Sequence, residues 1–591
     1  MLGRWVWRGR EGALPRPLCD AVGDLQVAHA PLIAHLLWNR GIRDPEAAAA
    51  FLRPTLAHGL RSPSLLKDMD RACTRLVDAL GAGEPIGVYG DYDVDGMTGA
   101  AQLVVFLREL GAEPILHVSH RGREGYGLNA GALRGLREAG ARVVVTADCG
   151  TADVDKLIVA AELGLDVIVC DHHHTPIARP PAMALLNPLQ PDCAFPFKGL
   201  SGAGVVFYLL MGVRAELRAR GHRALPDLRR YLDLVALGTV ADVVPLREEN
   251  RVLVTHGLRV LDRPARPGLI ALREAALVET ASVRSIGFRL APRLNAGGRL
   301  ADARLAVELL TTDNVERARA AAAELEMHNA ERRAIEDAMV AEAIRAIETS
   351  DRKVGARTIV VARDGWHPGV VGIVAARLAE RFHRPALVVA LDGELGRGSG
   401  RSVRGVDLHG AVAECGELLP SFGGHRQAVG FTVPRERVAE LAARFEDAVA
   451  RATTPADLEP LLEIDAEVPL AVVTSALAEA LAVLEPHGAG NPEPTLLARA
   501  IEVDGVRLVG DPGRPHLKLR LRQDVRTLSA IGFGLGHLPV RAGDRVDVVF
   551  TPRLTRWQGT TRLELEVLDL RGASARQPRQ AAENAGEFRV P

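Results

Sequence analysis

Three short runs between residues 85 and 174, "PIGVYG", "ARVVVTADCG" and "LDVIVCDHHH", are rich in Val and Ile and show no polar alternation. A strand with water on one face alternates; a strand covered on both faces does not. Helical patterns, "TGAAQLVVFLREL" and "ADVDKLIVAAELG", lie among them. Strand–helix–strand alternation brings successive strands back in the same direction, which is the logic of a parallel sheet. An α/β domain with a parallel sheet is therefore expected over residues from about 84 to 250. A fourth run, "LVALGTVADVV", is read as a further strand of it.

Parallel sheets gather ligands beyond the carboxyl ends of their strands. Each run delivers acids or histidines there. Asp91, Asp93 and Asp95 stand in "GDYDVDG", Asp148 in "TADCG", Asp171 to His174 in "CDHHH", and Asp242 in "GTVADVVP". Three carboxylates at alternate positions repel one another unless a cation sits among them, and hard divalent cations take carboxylate oxygens. Mixed Asp/His ligation suits manganese or a similar ion, with magnesium also possible. Several carboxylates can hold two ions, which together activate a water and stabilise the leaving oxygen of a phosphoryl transfer.

The chain has 591 residues, too many for one core, so two to four domains are expected. Residues 303–350 contain no Gly or Pro and are rich in Ala, Glu and Arg, which predicts one or two long helices. A second α/β segment follows, opening on "RTIVVA" and carrying the Gly-rich loops "GELGRGSGRS" and "SFGGHRQAVGF". From about residue 460 the pattern turns to alternation, "HLKLRLR" and "TRLELEVLDL", which predicts a small β-barrel. The tail, 573–591, has the composition of a disordered segment.

Lys+Arg is 73 and Asp+Glu is 74, so any polyanion-binding surface has to come from local clustering. The stretch "RSIGFRLAPRLNAGGR" holds four arginines and no acid. Lys518, Arg520 and Arg522 alternate and share one face of a strand, and Arg553, Arg556 and Arg562 surround Trp557. Basic residues with an aromatic suit single strands, whose bases stack and whose phosphates pair without sequence reading. No long uncharged apolar run predicts a membrane span, and no apolar segment near the N-terminus reads as a signal peptide. Six scattered cysteines without a CxxC pair fit a reduced cytoplasm and exclude a zinc ribbon.

"DYDVDG", "ADCG", "DHH" and "ADVVP", in this order, resemble the four motifs of the DHH phosphoesterase superfamily. "EGYGLN", "PRLNAGGRL", "HPGVVGIVAARL", "GSGRS" and "GGHRQAVGF" narrow the resemblance to its single-strand-specific 5′→3′ DNA exonucleases. The resemblance runs from "FLRP" at 51–54 to the barrel. It implies an N-terminal segment (1–75) packed on the core, a DHH catalytic domain (76–300), connecting helices (301–350), a DHHA1 domain (351–452) and an OB fold (453–572) that binds single strands. It also implies release of mononucleotides in recombinational and mismatch repair, with single-strand-binding protein and a RecQ-type helicase as partners.

Roles follow by position. Asp93, Asp95, Asp148, His172 and Asp242 are expected to ligate two Mn²⁺ or Mg²⁺ ions, with Asp148 bridging. His173 is expected to face the scissile phosphate, and His174 to lie on the surface. Tyr89 stands where many members of the superfamily carry a metal-binding His, so Asp91 or a water is expected to fill that position. Arg121, Ser399, Arg401 and His425 are the expected 5′-phosphate and substrate contacts, joined along the DNA path by Arg299, Lys518, Arg520 and Trp557. The competing readings are a superfamily phosphoesterase acting on short oligonucleotides, pyrophosphate or cyclic dinucleotides, and a replication scaffold that has lost its metals. The basic barrel argues against the first, and the intact acidic motifs against the second.

Overall fold

The computed structural model describes residues 3–9, 14–120, 122, 124–300, 302–349, 355–513, 515–557 and 560–573. The chain divides into two compact units.

The larger unit comprises Ser62–Val244 and His256–Pro460. Its first half is built on five parallel strands in the spatial order Ile115–Val118, Ile86–Gly90, Val143–Ala147, Asp166–Cys170, Ala184–Leu186. Ile86–Gly90 and Val143–Ala147 are buried at every position, which is why their sequences lack alternation. The strand order reverses between these two neighbours, and that is the switch point at which such sheets open a crevice. "LVALGTVADVV" is not a strand. Leu232–Ala241 is a helix, buried at each position from 232 to 240, and Asp242 caps its C-terminus. An apolar run covered on all sides has no period, so strand and buried helix read alike in sequence.

Two helices follow, Arg304–Thr311 and the 34-residue Val315–Glu348. The long helix buries Ala318, Ala321 and Leu325 near its start. Near its end Met339 and Ala343 enter the core of the second half. That half is a five-stranded sheet in the order Ser421–His425, Ala428–Pro434, Leu395–Arg401, Ala386–Asp392, Ile359–Asp364. Only the last two are parallel. Helices Val371–Phe382 and Val438–Ala452 bury their apolar faces in the same core.

The smaller unit comprises Met1–Arg61, Pro245–Thr255 and Leu461–Pro591. Leu496–Val509, His516–Gln523, Arg526–Gly532, Thr560–Gly572 and Arg545–Trp557 pair in that order, and the last pairs back with the first to close a five-stranded barrel. Helices Arg16–Asp24, Ala30–Asn39 and Pro45–Leu52 share its core through Leu18, Ile33, Leu36 and Phe51. The N-terminal segment thus packs with the barrel, and strand Arg4–Trp7 pairs in parallel with Leu461–Ile464. Residues 574–591, expected to be disordered, lie outside the described residues. Among the described residues no helix is long and apolar enough to cross a membrane.

Candidate active site

The backbone of each of the three strand-end motifs continues the hydrogen-bond ladder of the sheet by one residue. Asp91 donates to the Ala147 carbonyl (3.1 Å), Asp148 to Cys170 (2.9 Å) and Asp171 to Leu186 (3.1 Å). The carboxylates therefore leave the sheet at one edge, in register. Two helix N-termini converge on them. Asp93 caps helix Val94–Glu109, accepting from Asp95 and Gly96 nitrogens. Asp95 accepts from the Gly202 (2.6 Å) and Ala203 (3.0 Å) nitrogens at the start of helix Gly202–Ala219. The positive ends of both helices favour the anions. Gly202 is obligatory here, because a Cβ would meet Asp148 Cβ at 2.6 Å.

Three overlapping groups bring one donor atom each to within 4.8 Å: Asp91, Asp93 and Asp148; Asp148, His172 and His173; Asp95, His172 and Asp242. All five expected ligands, and Asp91 with them, thus meet at one place. Tyr89 does not. It is buried in the hydrophobic core, donating to the Gly127 carbonyl and accepting from Asn129. Ser119 Oγ orients Asp91 by donating to its Oδ1 at 2.9 Å.

The donor set fits a divalent cation. Burial and the charge of His173 hold His172 down to about 4, so the ring is neutral, and it bonds the Leu200 backbone. Its Nε2 is buried without a hydrogen-bond partner, and so is Asp148 Oδ1, 3.1 Å away. Asp242 Oδ2 lies 3.4 Å and Asp95 Oδ2 3.8 Å from the same nitrogen. Acceptors at this spacing need protons or a cation among them, and octahedral coordination at 2.0–2.1 Å places adjacent ligands about 3 Å apart. Asp242 closes the negative end of its helix, the wrong end for an uncompensated anion. The next residue, Val243, is held at φ +59°, a strained conformation for a β-branched residue.

Burial, then the charge of Asp93, raises Asp95 to about 7. Burial, then Asp95 and Asp93, raises Asp242 to about 9. Asp148 and Asp91 are pushed well up by the same burial and crowding. In the ion-free protein these groups hold protons that the unfolded chain has already released above about pH 4. Its stability therefore falls as pH rises through that window toward about 9. A bound cation replaces the protons. At one fixed Mn²⁺ concentration the thermal shift is expected to be larger at about pH 8.5 than at about pH 6, because Kd falls as the protons leave; a hundredfold excess over Kd is worth about 2.7 kcal/mol of stability. Scanning fluorimetry with Mn²⁺ and with chelator measures it. Equal shifts at both pH values would place the ion elsewhere.

His173 differs from His172. Burial alone would lower it, but its hydrogen bond to Asp171 and that residue's charge lift it to about 9. Nδ1 lies 2.7 Å from Asp171 Oδ1, and the Tyr126 hydroxyl is 2.8 Å from the same nitrogen. Burial would raise Asp171, but the His173 bond outweighs it and holds the carboxylate below its ordinary range. Asp171 also accepts from the Thr151, His172 and His173 nitrogens. These bonds occupy both of its oxygens and fix the orientation of His173. Asp171 and Tyr126 stand in the motifs "DHH" and "EGYGLN", yet sequence reasoning gave them no role, because only the folded geometry shows them meeting at one imidazole. His174 is exposed.

The second half of the same unit contributes a separate set. Arg401 donates to Ser399 Oγ (3.2 Å) and to the Gly400 carbonyl (2.8 Å). Gly372, near the start of helix Val371–Phe382, leaves room for both, since a Cβ there would meet Ser399 Oγ at 3.1 Å and Arg401 Nη2 at 3.3 Å. Burial, then Arg401, His173 and His174, lowers His425, so the two sets lie close enough to feel each other's charge. Arg299 donates to the Gly369 carbonyl at 3.1 Å. Arg121 lies outside the described residues.

On the barrel, Lys518, Arg520 and Arg522 share the outer face as expected, with Leu517, Leu519 and Leu521 inside. Each meets an acid. Lys518 pairs with Glu564, Arg520 with Asp504 at 2.5 Å, and Arg522 with Glu502. The face carries both signs, which removes much of its pull on phosphates. The Trp557 backbone ends strand Arg545–Trp557, and its side chain lies outside the described residues.

A metal-competent Asp/His cluster at the switch point of a parallel sheet, continued through one long helix into a Gly-rich α/β half, is the build of a DHH phosphoesterase. Residues 85–239 match the DHH family N-terminal domain, residues 355–451 the DHHA1 domain and residues 464–569 the RecJ OB domain. The chain belongs to the RecJ family. It is 37% identical over 564 residues to the single-stranded-DNA-specific exonuclease RecJ of Bacillus subtilis (strain 168), covering 94% of this chain and 70% of that one. It is 36% identical to the exonuclease RecJ of Escherichia coli (strain K12), covering 86% and 89%. The structure of Thermus thermophilus RecJ in complex with Mn²⁺ superposes with a TM-score of 0.82 at 33% identity, covering 97% of this chain and 80% of that one. The same protein in complex with Mg²⁺ gives 0.76 at 32% identity, covering 97% and 79%.

Proposed function

We propose that this chain is a Mn²⁺- or Mg²⁺-dependent exonuclease that degrades single-stranded DNA from its 5′ end to mononucleotides. The observation that carries the reading is the facing of the neutral His172 Nε2 and Asp148 Oδ1, two buried atoms without a hydrogen-bond partner, in a chain of the RecJ family. Asp93, Asp95, Asp148, His172 and Asp242 would hold the ions, with Asp91 beside Asp93. Bound there, divalent ions supply an activated water and charge for the developing phosphorane. Asp148 and His172 each belong to two of the three groups, and of the two only the carboxylate, with two oxygens, would serve neighbouring positions. Asp171 holds His173 by its Nδ1, leaving the protonated Nε2 side to meet a phosphate oxygen and then give a proton to the leaving 3′-oxygen. The P–O3′ bond breaks, the released nucleotide keeps its 3′-hydroxyl, and the remaining strand gains a new 5′-phosphate.

That product explains a fixed phosphate site beside the cluster. Ser399, Arg401 and His425 are the donors to the terminal phosphate, with Arg121 and Arg299 as further contacts. Arg401→Ala is expected to reduce the preference for a 5′-phosphate over a 5′-hydroxyl about ten- to a hundredfold, the worth of one charge-assisted phosphate contact. Competition between the two oligonucleotides on wild type and variant measures it; an unchanged ratio means that the end is read elsewhere. The role is cytoplasmic recombinational and mismatch repair, with single-strand-binding protein and a RecQ-type helicase presenting the strand. Digestion of strands labelled at the 5′ or 3′ end, with Mn²⁺, Mg²⁺ or chelator, tests the whole reading: 3′-end release, or full activity in chelator, would overturn it.

A further inference from the structure

The arginines of the stretch 284–299 have different fates. Arg293 is buried and paired with Glu326, and Arg299 reaches Gly369. Arg284 and Arg289 are exposed and meet no carboxylate among the described residues; the Arg289 guanidinium donates to the Leu277 carbonyl at 2.7 Å. Between them stands Phe288, 78% exposed. It does not sit on a loose loop. Val283–Ser285, a π-turn over Ile286–Leu290 and Ala291–Leu300 form one helical run. Ile286 and Leu290 are fully buried and anchor the turn, which aims Phe288 outward. π-turns of this kind mark functional positions in helices.

A lone exposed apolar side chain is ordinary, but this one has company. Leu277, in the left-handed conformation and 77% exposed, and Ile270, 40% exposed, adjoin the same region. Glu274 and Glu279 line the hollow of about 400 Å³ beside Ile270 and Leu277. Arg284 lies four residues before Phe288, one turn away on the same side of the run. The far end of the run touches the catalytic backbone: a Cβ on Gly298 would meet the Tyr92 carbonyl, between Asp91 and Asp93, at 2.5 Å. Phe288 and Gly298 are ten positions apart, about 15 Å along the run.

We propose that Phe288, flanked by Arg284 and Arg289, is a stacking platform for single-stranded DNA entering the active site, gripping bases a few nucleotides 3′ of the scissile bond. The proposal rests on the nuclease reading and names where the strand runs. The occupant follows from charge and continuity: an exposed ring beside guanidiniums without acidic partners, on a helix that ends at the carboxylate cluster. The barrel face lacks that charge, because its cations are already paired.

The test compares Phe288→Ala, Phe288→Leu and Phe288→Trp with wild type. Binding of a fluorescent 5′-phosphorylated oligonucleotide of about twenty residues is measured in chelator, where nothing is cut, and turnover of a dinucleotide is measured with Mn²⁺. Ala and Leu are expected to raise Kd for the long strand about tenfold, the worth of one stacked base, with Trp near wild type and dinucleotide turnover unchanged. Replacing Arg284 and Arg289 by Ala together is expected to flatten the log–log salt dependence by about 1.4, or 0.7 for each phosphate left without its arginine. Wild-type affinity in Phe288→Ala or Phe288→Leu would overturn the platform. Because binding is read without hydrolysis, a wild type that binds long strands through Phe288 but cuts none supports the platform and overturns the nuclease.

Discussion

Replacing Asp148 by Asn is expected to lower kcat/KM on single strands by at least about a thousandfold, on the scale of removing one member of a catalytic unit, while the protein stays folded. Asn is the informative substitution. Asp148 sits at φ +67°, a left-handed conformation that Asp and Asn tolerate and Ala does not. Ala would add backbone strain to the loss of the ligand and confuse the two. Asn also keeps the shape that packs against Gly202, whose missing Cβ lets the helix approach to this distance. Stability should move the other way from activity. Asp148 is raised by burial and by the charges of Asp95, Asp93 and Asp242, so its ionisation opposes folding when no cation is present. In chelator above about pH 7 the variant is expected to melt a few degrees higher than wild type, and its Mn²⁺-induced shift should largely vanish. Normal turnover in the variant would remove Asp148 from the metal site. Lost turnover with an undiminished Mn²⁺ shift would mean that it serves the reaction without holding the ion.

The cluster was legible because of two regularities. Buried parallel strands announce themselves by Val/Ile runs without alternation, and their carboxyl ends are where a parallel sheet places its chemistry. Asp91, Asp93, Asp95, Asp148 and the run Asp171 to His174 follow from those two facts, and the motif resemblance singles out His172 and His173. Asp242 joins the cluster from the end of a helix and not of the expected strand. Its run is equally apolar as strand or buried helix, and only packing decides. What sequence could not show is pairing between distant positions. Lys518, Arg520 and Arg522 look like a basic stripe until the barrel register sets Glu502, Asp504 and Glu564 beside them. Arg284 and Arg293 look alike in one stretch, yet one is exposed and the other buried against Glu326. Asp171 stands in the same motif as His172 and His173 with no role assigned, and its hold on His173 appears only with four donors converging on its two oxygens.

His173→Gln is expected to slow hydrolysis of an ordinary phosphodiester about 10²- to 10⁴-fold, the range of a lost general acid. The residue has the means for that role. Asp171 holds Nδ1 and keeps the ring protonated, so that the opposite nitrogen can give a proton to the departing 3′-oxygen. The pH dependence follows from the sign of the shift. A group raised to about 9 is active in its protonated form below that value and fails as pH rises through it. Cations held on the neighbouring carboxylates would pull it down, which sets the alkaline limb of kcat at or below about pH 9. The variant should lack that limb. A strand with a bridging sulfur at the first 3′ position separates the possibilities, because a thiolate leaves without a proton. If His173 is the acid, the variant loses far less on the sulfur substrate than on the oxygen one. An equal loss on both would mean that His173 acts through its charge on the phosphate oxygens and that the leaving group takes its proton from water.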